Sequence, residues 1–320
     1  MAEKKIYKAC ETLLTVCSNC QPEEEILIVT DDTRLDIGMA MWDAAERFPK
    51  RSLILMNHRE MHGEEPTATV AAAMLAADVI FRCTTLSLSH STARMKACEA
   101  GARDLNCCDY DFAMLESGGL YTDFPANMKY VDQIAEGFEG GDICEITSAI
   151  GTNYRASIKG HKVFPQYGMT LEPGKTSSPP DIECATGAMP YTANGVVYVD
   201  GSITHPRIGL IAEPIRVEIK DSFVTKISGG PQAKVLEEVL EEIGDRRIYQ
   251  IGEIGVGLNP DASLNGRMLE DEGCMGTVHV ALGNNESGND INLHIDMMFK
   301  NPTIKVDGKI ILDEGKVVFD

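Results

Sequence analysis

The stretch from Glu25 to Asn57, EILIVTDDTRLDIGMAMWDAAERFPKRSLILMN, decides the fold of the first part of the chain. It opens with an unbroken apolar run, Ile26 to Val29, and closes that run on two acids, Asp31 and Asp32. Such a run, bounded by polar residues, is the pattern of a strand buried on both faces. Arg34 to Phe48 then repeats its apolar residues at helical spacing, and Arg51 to Asn57 is a second strand. A strand, a helix and a strand in succession argue for parallel pairing, because only a crossover brings the second strand back in the same direction.

The alternation continues outward from there. TATVAAAMLAA (67–77) is a helix, DVIFRC (78–83) a third strand, STARMKACEAGA (91–102) a helix and RDLNCC (103–108) a further strand. No GxGxxG follows the first strand, so a dinucleotide fingerprint is missing. After about residue 140 the texture changes. EITSAIGTNYRASIKG (145–160) alternates like a strand, and GVVYVDGSI (195–203) and EPIRVEIKDSFVTKISGG (213–230) read as strands broken at Asp-Gly, Lys-Asp and Gly-Gly. PQAKVLEEVLEEIG (231–244) is an amphipathic helix started by Pro231 and stopped by Gly244, and TIKVDGKIILDEGKVVF (303–319) ends the chain in hairpin strands. The expected layout is an α/β domain with a parallel sheet over residues 1–140 and a β-rich α+β metal-binding domain over 141–320. The segment PQYGMTLEPGKTSSPP (165–180) is expected to be a loop between strands, of the kind that edges a site.

Composition narrows the function classes. The 320 residues carry a formal net charge of -20, which disfavours a nucleic-acid partner, since phosphate binding needs Lys and Arg. No apolar run reaches the roughly 18 residues of a membrane span, and MAEKKIYKACETLL at the start does not have the form of a signal peptide. A cytoplasmic protein is expected, with its ten cysteines as free thiols. Cys17 and Cys20 make one isolated CxxC, and the adjacent Cys107 and Cys108 suit buried packing better than a disulfide.

The chemistry-bearing residues stand out by their company. In INLHIDMMFKNP (291–302) the alternation of a strand puts His294 and Asp296 on one face, within reach of one metal ion. Imidazole and carboxylate suit Zn, Fe, Mn or Co alike. Glu253 in IGEIGVGLNP, His279 in GTVHVALG and Glu183 in PPDIECATGAMP are polar residues in apolar or uncharged surroundings. Burying such a group is costly unless it is paired or bound to a cation. The bland alternative at each is a hydrogen-bonded polar group. His58 and His62 in NHREMH lack the Glu that HExxH requires directly after its first histidine, which leaves a strand-to-helix loop. Arg155, Lys159 and His161 alternate, as for a substrate carboxylate or for a solvated strand face.

GEIGVGLNP, MLEDEGCMGTVHVALG and LHIDMMFKNPTIKVDGKII together resemble the thermophilic metallo-aminopeptidase family, the aminopeptidase T group, over roughly residues 180–315. The resemblance implies that Glu183, Glu253, His279, His294 and Asp296 hold two divalent metals. It also implies a homodimer; Asp271 and Glu272 belong to its DE segment, where a place beside the metals and plain helix capping are both open. That family has a Tyr seven residues after the histidine of the G..H segment, where this chain has Glu286.

TTLSLSHSTARMKACEAGARDL and SAIGTNYRASIKG resemble a related group, the 2,5-dihydroxypyridine 5,6-dioxygenases. In that group two histidines and one aspartate hold one Fe(II). The resemblance carries this onto His294 and Asp296, with Glu253 standing where the group has its other histidine, and implies His90 as an acid or base near the substrate. The function expected first is a metal-dependent hydrolase that removes an N-terminal amino acid or splits a small amide, acting on a small molecule or short peptide. The alternative is a mononuclear Fe(II) dioxygenase that cleaves the ring of a hydroxylated nitrogen heterocycle.

Overall fold

The computed structural model describes residues 2–285 and 288–319, and position 286, singled out above, lies outside them. The chain divides into two compact units. The first comprises residues 1–125 and 167–180, and the second 126–166 and 181–320.

The first unit is the parallel α/β part. Helix α1 (Ala2–Thr12) leads into β1 (Ile26–Asp31), α2 (Leu35–Ala44), β2 (Arg51–Met56), α3 (Ala68–Leu75), β3 (Val79–Cys83), α4 (Thr92–Glu99), β4 (Arg103–Asn106) and α5 (Phe112–Glu116). Helix α1 falls in a stretch for which the sequence analysis names no element. The strands lie in the order β2-β1-β3-β4, all parallel. Every residue of β1 and β3 is buried, which explains why their sequences are apolar runs and not alternations. Leu27, Val29 and Ile80 pack with Val70 and Met74 of α3 and with Ala97 of α4. Thr67, Ser91 and Asp111 each accept a hydrogen bond from a first-turn amide and so start α3, α4 and α5.

One charged pair is fully enclosed in this unit. Arg82 donates to both carboxylate oxygens of Asp104 at 2.7 and 2.8 Å, and both side chains have no exposed surface. All ten cysteines are free and buried, and burial pushes the Cys10 thiol up to about 12 and that of Cys108 to about 11. They are packing residues rather than nucleophiles.

In the second unit, α6 (Phe124–Phe138), which begins just before the division, is followed by β5 (Ile143–Thr147), β6 (Asn153–Ser157) and β7 (Val163–Gln166). The stretch expected as one strand is therefore two, folded back at residues 148–152 by the Ser148 amide donating to the Thr152 carbonyl. Lys159 and His161 lie past the end of β6, so they do not share a strand face with Arg155. Arg155 and Lys159 are exposed and pair with Glu145 at 3.8 Å and Asp142 at 3.5 Å. The 165–180 segment contains a short strand, β8 (Thr176–Ser177), which joins the first unit's sheet beside β4.

The remaining elements are β9 (Glu183–Gly187), β10 (Asn194–Val199), β11 (Ser202–Ile203), β12 (Gly209–Leu210), β13 (Ile215–Lys220), β14 (Phe223–Gly229), α7 (Pro231–Ile243), β15 (Ile251–Gly257), α8 (Met268–Asp271), β16 (Thr277–Asn285), β17 (Asn289–Lys300), β18 (Thr303–Val306), β19 (Lys309–Asp313) and β20 (Lys316–Val317). They build two antiparallel sheets, ordered β14-β13-β10-β6-β5-β18-β19-β20 and β12-β11-β17-β16-β15-β9-β7. Helix α7 starts at Pro231 and ends on Gly244 in the left-handed region (φ 68°), as its sequence requires. The fold class is the expected one, a parallel α/β part and a β-rich part. Among the described residues no helix is long and apolar enough to cross a membrane.

Candidate metal centre

Four neighbouring strands of the seven-stranded sheet, β9, β15, β16 and β17, carry the polar exceptions noted in the sequence. Residues directly opposite in a ladder share a face. Glu183 is opposite Gly257, Glu253 is opposite Gly187 and Ala281, Gly255 is opposite His279, Ala281 is opposite Asp296, and Gly283 is opposite His294. All five chemical residues thus stand on one face, and each has a glycine or alanine opposite it on one side, with Met298 on the other side of His279 and Gln166 on the other side of Glu183. Small partners leave room for the large polar side chains. The case is sharpest at Gly255, where a Cβ would collide with the imidazole of His279.

The ligand atoms of Glu253, His294 and Asp296 all lie within 4.8 Å of one another. His294 Nε2 is 2.9 Å from Asp296 Oδ1. His279 sits beside this trio, its Nε2 at 3.5 Å from Glu183, 3.8 Å from Glu253 and 4.0 Å from Asp296. Side-chain exposure rises from 1% at His279 and 2% at Asp296 through 20% at Glu253 to 36% at His294, so the group opens to solvent on the His294 side.

A β-bulge between Gly283 and Asn285 matters here. It brings the Asn284 carbonyl to 2.7 Å from His294 Nδ1. A carbonyl only accepts, so Nδ1 carries the hydrogen and Nε2 is turned toward the carboxylates. Gly283 at φ 92° makes the bulge, in a conformation that side chains rarely adopt.

The electrostatics are those of acids crowded out of water. Burial, then the neighbouring Asp181, Glu253 and Asp296, push the Glu183 carboxyl well above the usual range. Asp181 is pushed up to about 8, by burial first, with Asp296 and Glu253 adding to it and His279 opposing. Glu272 is also raised, by burial and then by Asp296. For His294 burial works against the charged ring, but the Asp296 carboxylate outweighs it and raises the ring to about 10. Asp296 is held well below the usual range because His294 outweighs its burial. Among the described residues, Glu183 Oε2, Asp181 Oδ1 and His279 Nδ1 are buried without a hydrogen-bond partner. Buried oxygens left open beside carboxylates and imidazoles form a donor set that fits a divalent cation.

The other sequence candidates lie elsewhere. His58 is in the loop after β2 and pairs with Asp32 at 2.9 Å. His62, in the same loop, accepts a hydrogen bond from the Ser87 amide at 3.1 Å. His90 is exposed in the turn between β3 and α4, in the first unit. Asp271 accepts from the amides of Asn265 and Gly266 and so closes the loop before α8. Thr204, which sequence reasoning passed over, hydrogen bonds Asp296; a threonine in a short turn carries no signal for that.

A family model described as 2,5-dihydroxypyridine 5,6-dioxygenase matches residues 5–319. A curated 2,5-dihydroxypyridine 5,6-dioxygenase from Pseudomonas putida is 29% identical over 186 residues. That alignment covers 54% of this chain and 53% of the relative, about half the length of each. Among solved structures, the 2,5-dihydroxypyridine dioxygenase from Pseudomonas putida KT2440 superposes with a TM-score of 0.83 at 21% identity, covering 99% of this chain and 98% of that one. Wild-type AmpT from Thermus thermophilus superposes over the whole of both chains with a TM-score of 0.73 at 13% identity. Both structures share the fold.

These findings overturn the metallo-aminopeptidase hydrolase expected first from the sequence. The family match runs through nearly the whole chain, whereas the peptidase likeness is one of fold at low identity. The donor types explain the error. Carboxylates and imidazoles on an antiparallel sheet serve either chemistry, and residue identity alone does not separate them.

Proposed function

The chain belongs to the 2,5-dihydroxypyridine 5,6-dioxygenase family, and on that premise we propose that it opens the ring of a hydroxylated nitrogen heterocycle with dioxygen at a single ferrous ion. The observation that carries this is the convergence of Glu253, His294 and Asp296, three donors on one face of a sheet. Imidazole and carboxylate are donors that Fe(II) accepts, and the set differs from the two histidines and one carboxylate usual for ferrous oxygenases by carrying Glu253 in place of a second histidine. When bound, the metal supplies a meeting point for dioxygen and the electron-rich ring.

The chain's own residues do the rest. The Asn284 carbonyl fixes the His294 tautomer so that Nε2 is presented. The glycines and alanines opposite the donors keep the face low. His279 places an imidazole nitrogen 3.8 Å from Glu253 and 4.0 Å from Asp296, beside the three donors. His90 takes a proton from a ring hydroxyl, a task that suits an imidazole. The assembly is a homodimer in the cytoplasm, and light scattering that gives the mass of one chain would contradict the dimer.

Metal analysis after anaerobic purification tests the site. One iron per chain supports the triad. Two ions per chain would extend the site to Glu183 and His279 and count against a mononuclear centre.

A further inference from the structure

We infer that Thr204 is a positioning residue for the metal centre, one that holds Asp296 so that a single carboxylate oxygen is presented. The inference rests on the metal site proposed above and names a residue outside it.

The geometry is a closed clamp. The Thr204 hydroxyl donates to Asp296 Oδ2 at 3.1 Å and accepts from the Asp296 amide at 2.8 Å. The Thr204 amide in turn donates to the Asp296 carbonyl at 3.1 Å. One threonine therefore meets the backbone and the side chain of one aspartate at three points. Its hydroxyl has one proton, and the amide of Asp296 cannot accept it, so that proton goes to the carboxylate. Oδ2 is thereby engaged on the Thr204 side. Oδ1 is the oxygen that faces His294 Nε2 at 2.9 Å and His279 Nε2 at 4.0 Å. Without the clamp the side chain can turn about its last bond and exchange the two oxygens.

Thr204 is itself held in place. It follows β11, whose Ile203 pairs with Met297 of β17, the strand that carries Asp296. The connection it begins is tied to helix α7 through Arg207, Leu210 and Ala212, the Leu210 carbonyl accepting from Gln232. Arg207 pairs with Glu242 at 2.6 Å and Glu238 at 3.4 Å, and the Ala212 amide donates to Gln232 at 3.0 Å. A small hydroxyl on an anchored connection is a more rigid partner for a ligand than a long side chain in solvent. Glu272, on a different element, lies close enough to Asp296 for that carboxylate to raise its pKa.

The test compares Thr204→Val with Thr204→Ser, using anaerobic titration with Fe(II) and with Co(II), whose visible bands report ligand geometry. No substrate or dioxygen is present, so the result does not depend on the ring-cleavage reaction. Thr204→Val is expected to weaken binding by roughly 10–100-fold, the usual effect of removing a group that orients a ligand, and to change the Co(II) bands. Thr204→Ser, which keeps the hydroxyl, is expected to restore the wild-type affinity and spectrum. Wild-type affinity in Thr204→Val would overturn the inference and leave the metal site standing. A serine variant as weak as the valine one would also overturn it, because loss of the methyl, not of the hydroxyl, would then be the cause. A wild-type chain that takes up neither metal would overturn the metal site itself.

Discussion

Gly255 lies directly opposite His279 in the β15–β16 ladder, and the imidazole occupies the space that a side chain at position 255 would fill. The glycine is mid-strand, and its backbone is not in the left-handed region. Its value is the missing Cβ. Gly255→Ala forces His279 away from Glu253 and Asp296, and overpacking of this kind costs about 1–3 kcal/mol. The variant is expected to fold and to bind Fe(II) roughly 10–100-fold more weakly, as when a supporting group is lost. Unchanged affinity by calorimetric titration would mean that His279 has no influence on the metal.

The Arg82–Asp104 pair predicts a stability effect within the first unit. Both side chains are fully enclosed, so removing one leaves the other charge uncompensated. Arg82→Met is expected to lower stability by about 3–5 kcal/mol, read from the urea midpoint. Arg82→Met combined with Asp104→Leu should recover much of the loss, because two apolar groups leave no buried charge. Equal damage in the single and double variants would show that the pair's shape, rather than its charge, holds β3 to β4.

Asp307 gives a pH dependence with a definite sign. Its carboxylate accepts from the amides of Ile143 and Asp142 at 2.9 and 3.0 Å, and these bonds lower its pKa from the ordinary 3.8. A lowered pKa means that the contribution is present above 3.8 and is lost as pH falls through the folded-state value below it. Asp307→Asn keeps the shape, and asparagine tolerates the left-handed backbone there (φ 49°). The stability gap between wild type and this variant should be constant near neutrality and close on acidification below pH 3.8. A gap that persists unchanged in acid would contradict the assignment to charge.

His90→Ala is expected to lower turnover by roughly 10²–10⁴-fold, the range for losing a general acid or base, with metal content unchanged. Full turnover in that variant would remove His90 from the reaction and leave the metal residues unaffected.

Much of this was legible locally, and the rest depends on distant pairing. The apolar runs of β1 and β3 announce strands buried on both faces, and Pro231 and Gly244 bracket α7. Glu253, His279, His294 and Asp296 are visible because each breaks an apolar pattern that a purely structural strand would keep. What places Gly255 under His279, or Thr204 against Asp296, is register between strands far apart in sequence, and no local pattern encodes it. The joining of β8 to the first unit's sheet was hidden for the same reason. The split of residues 145–160 into β5 and β6 was missed because alternation continues across a tight turn. Hydrolase and dioxygenase were confused because the same donor types serve both.

The most direct test of the account is the fate of oxygen. The iron-loaded protein is given 2,5-dihydroxypyridine under ¹⁸O₂ in unlabelled water, and the product is weighed by mass spectrometry. Ring cleavage by a dioxygenase predicts consumption of one dioxygen per ring and a ring-opened product formed with both labelled atoms. An intact ring with no oxygen uptake, or a product whose new oxygen comes only from water, would contradict it.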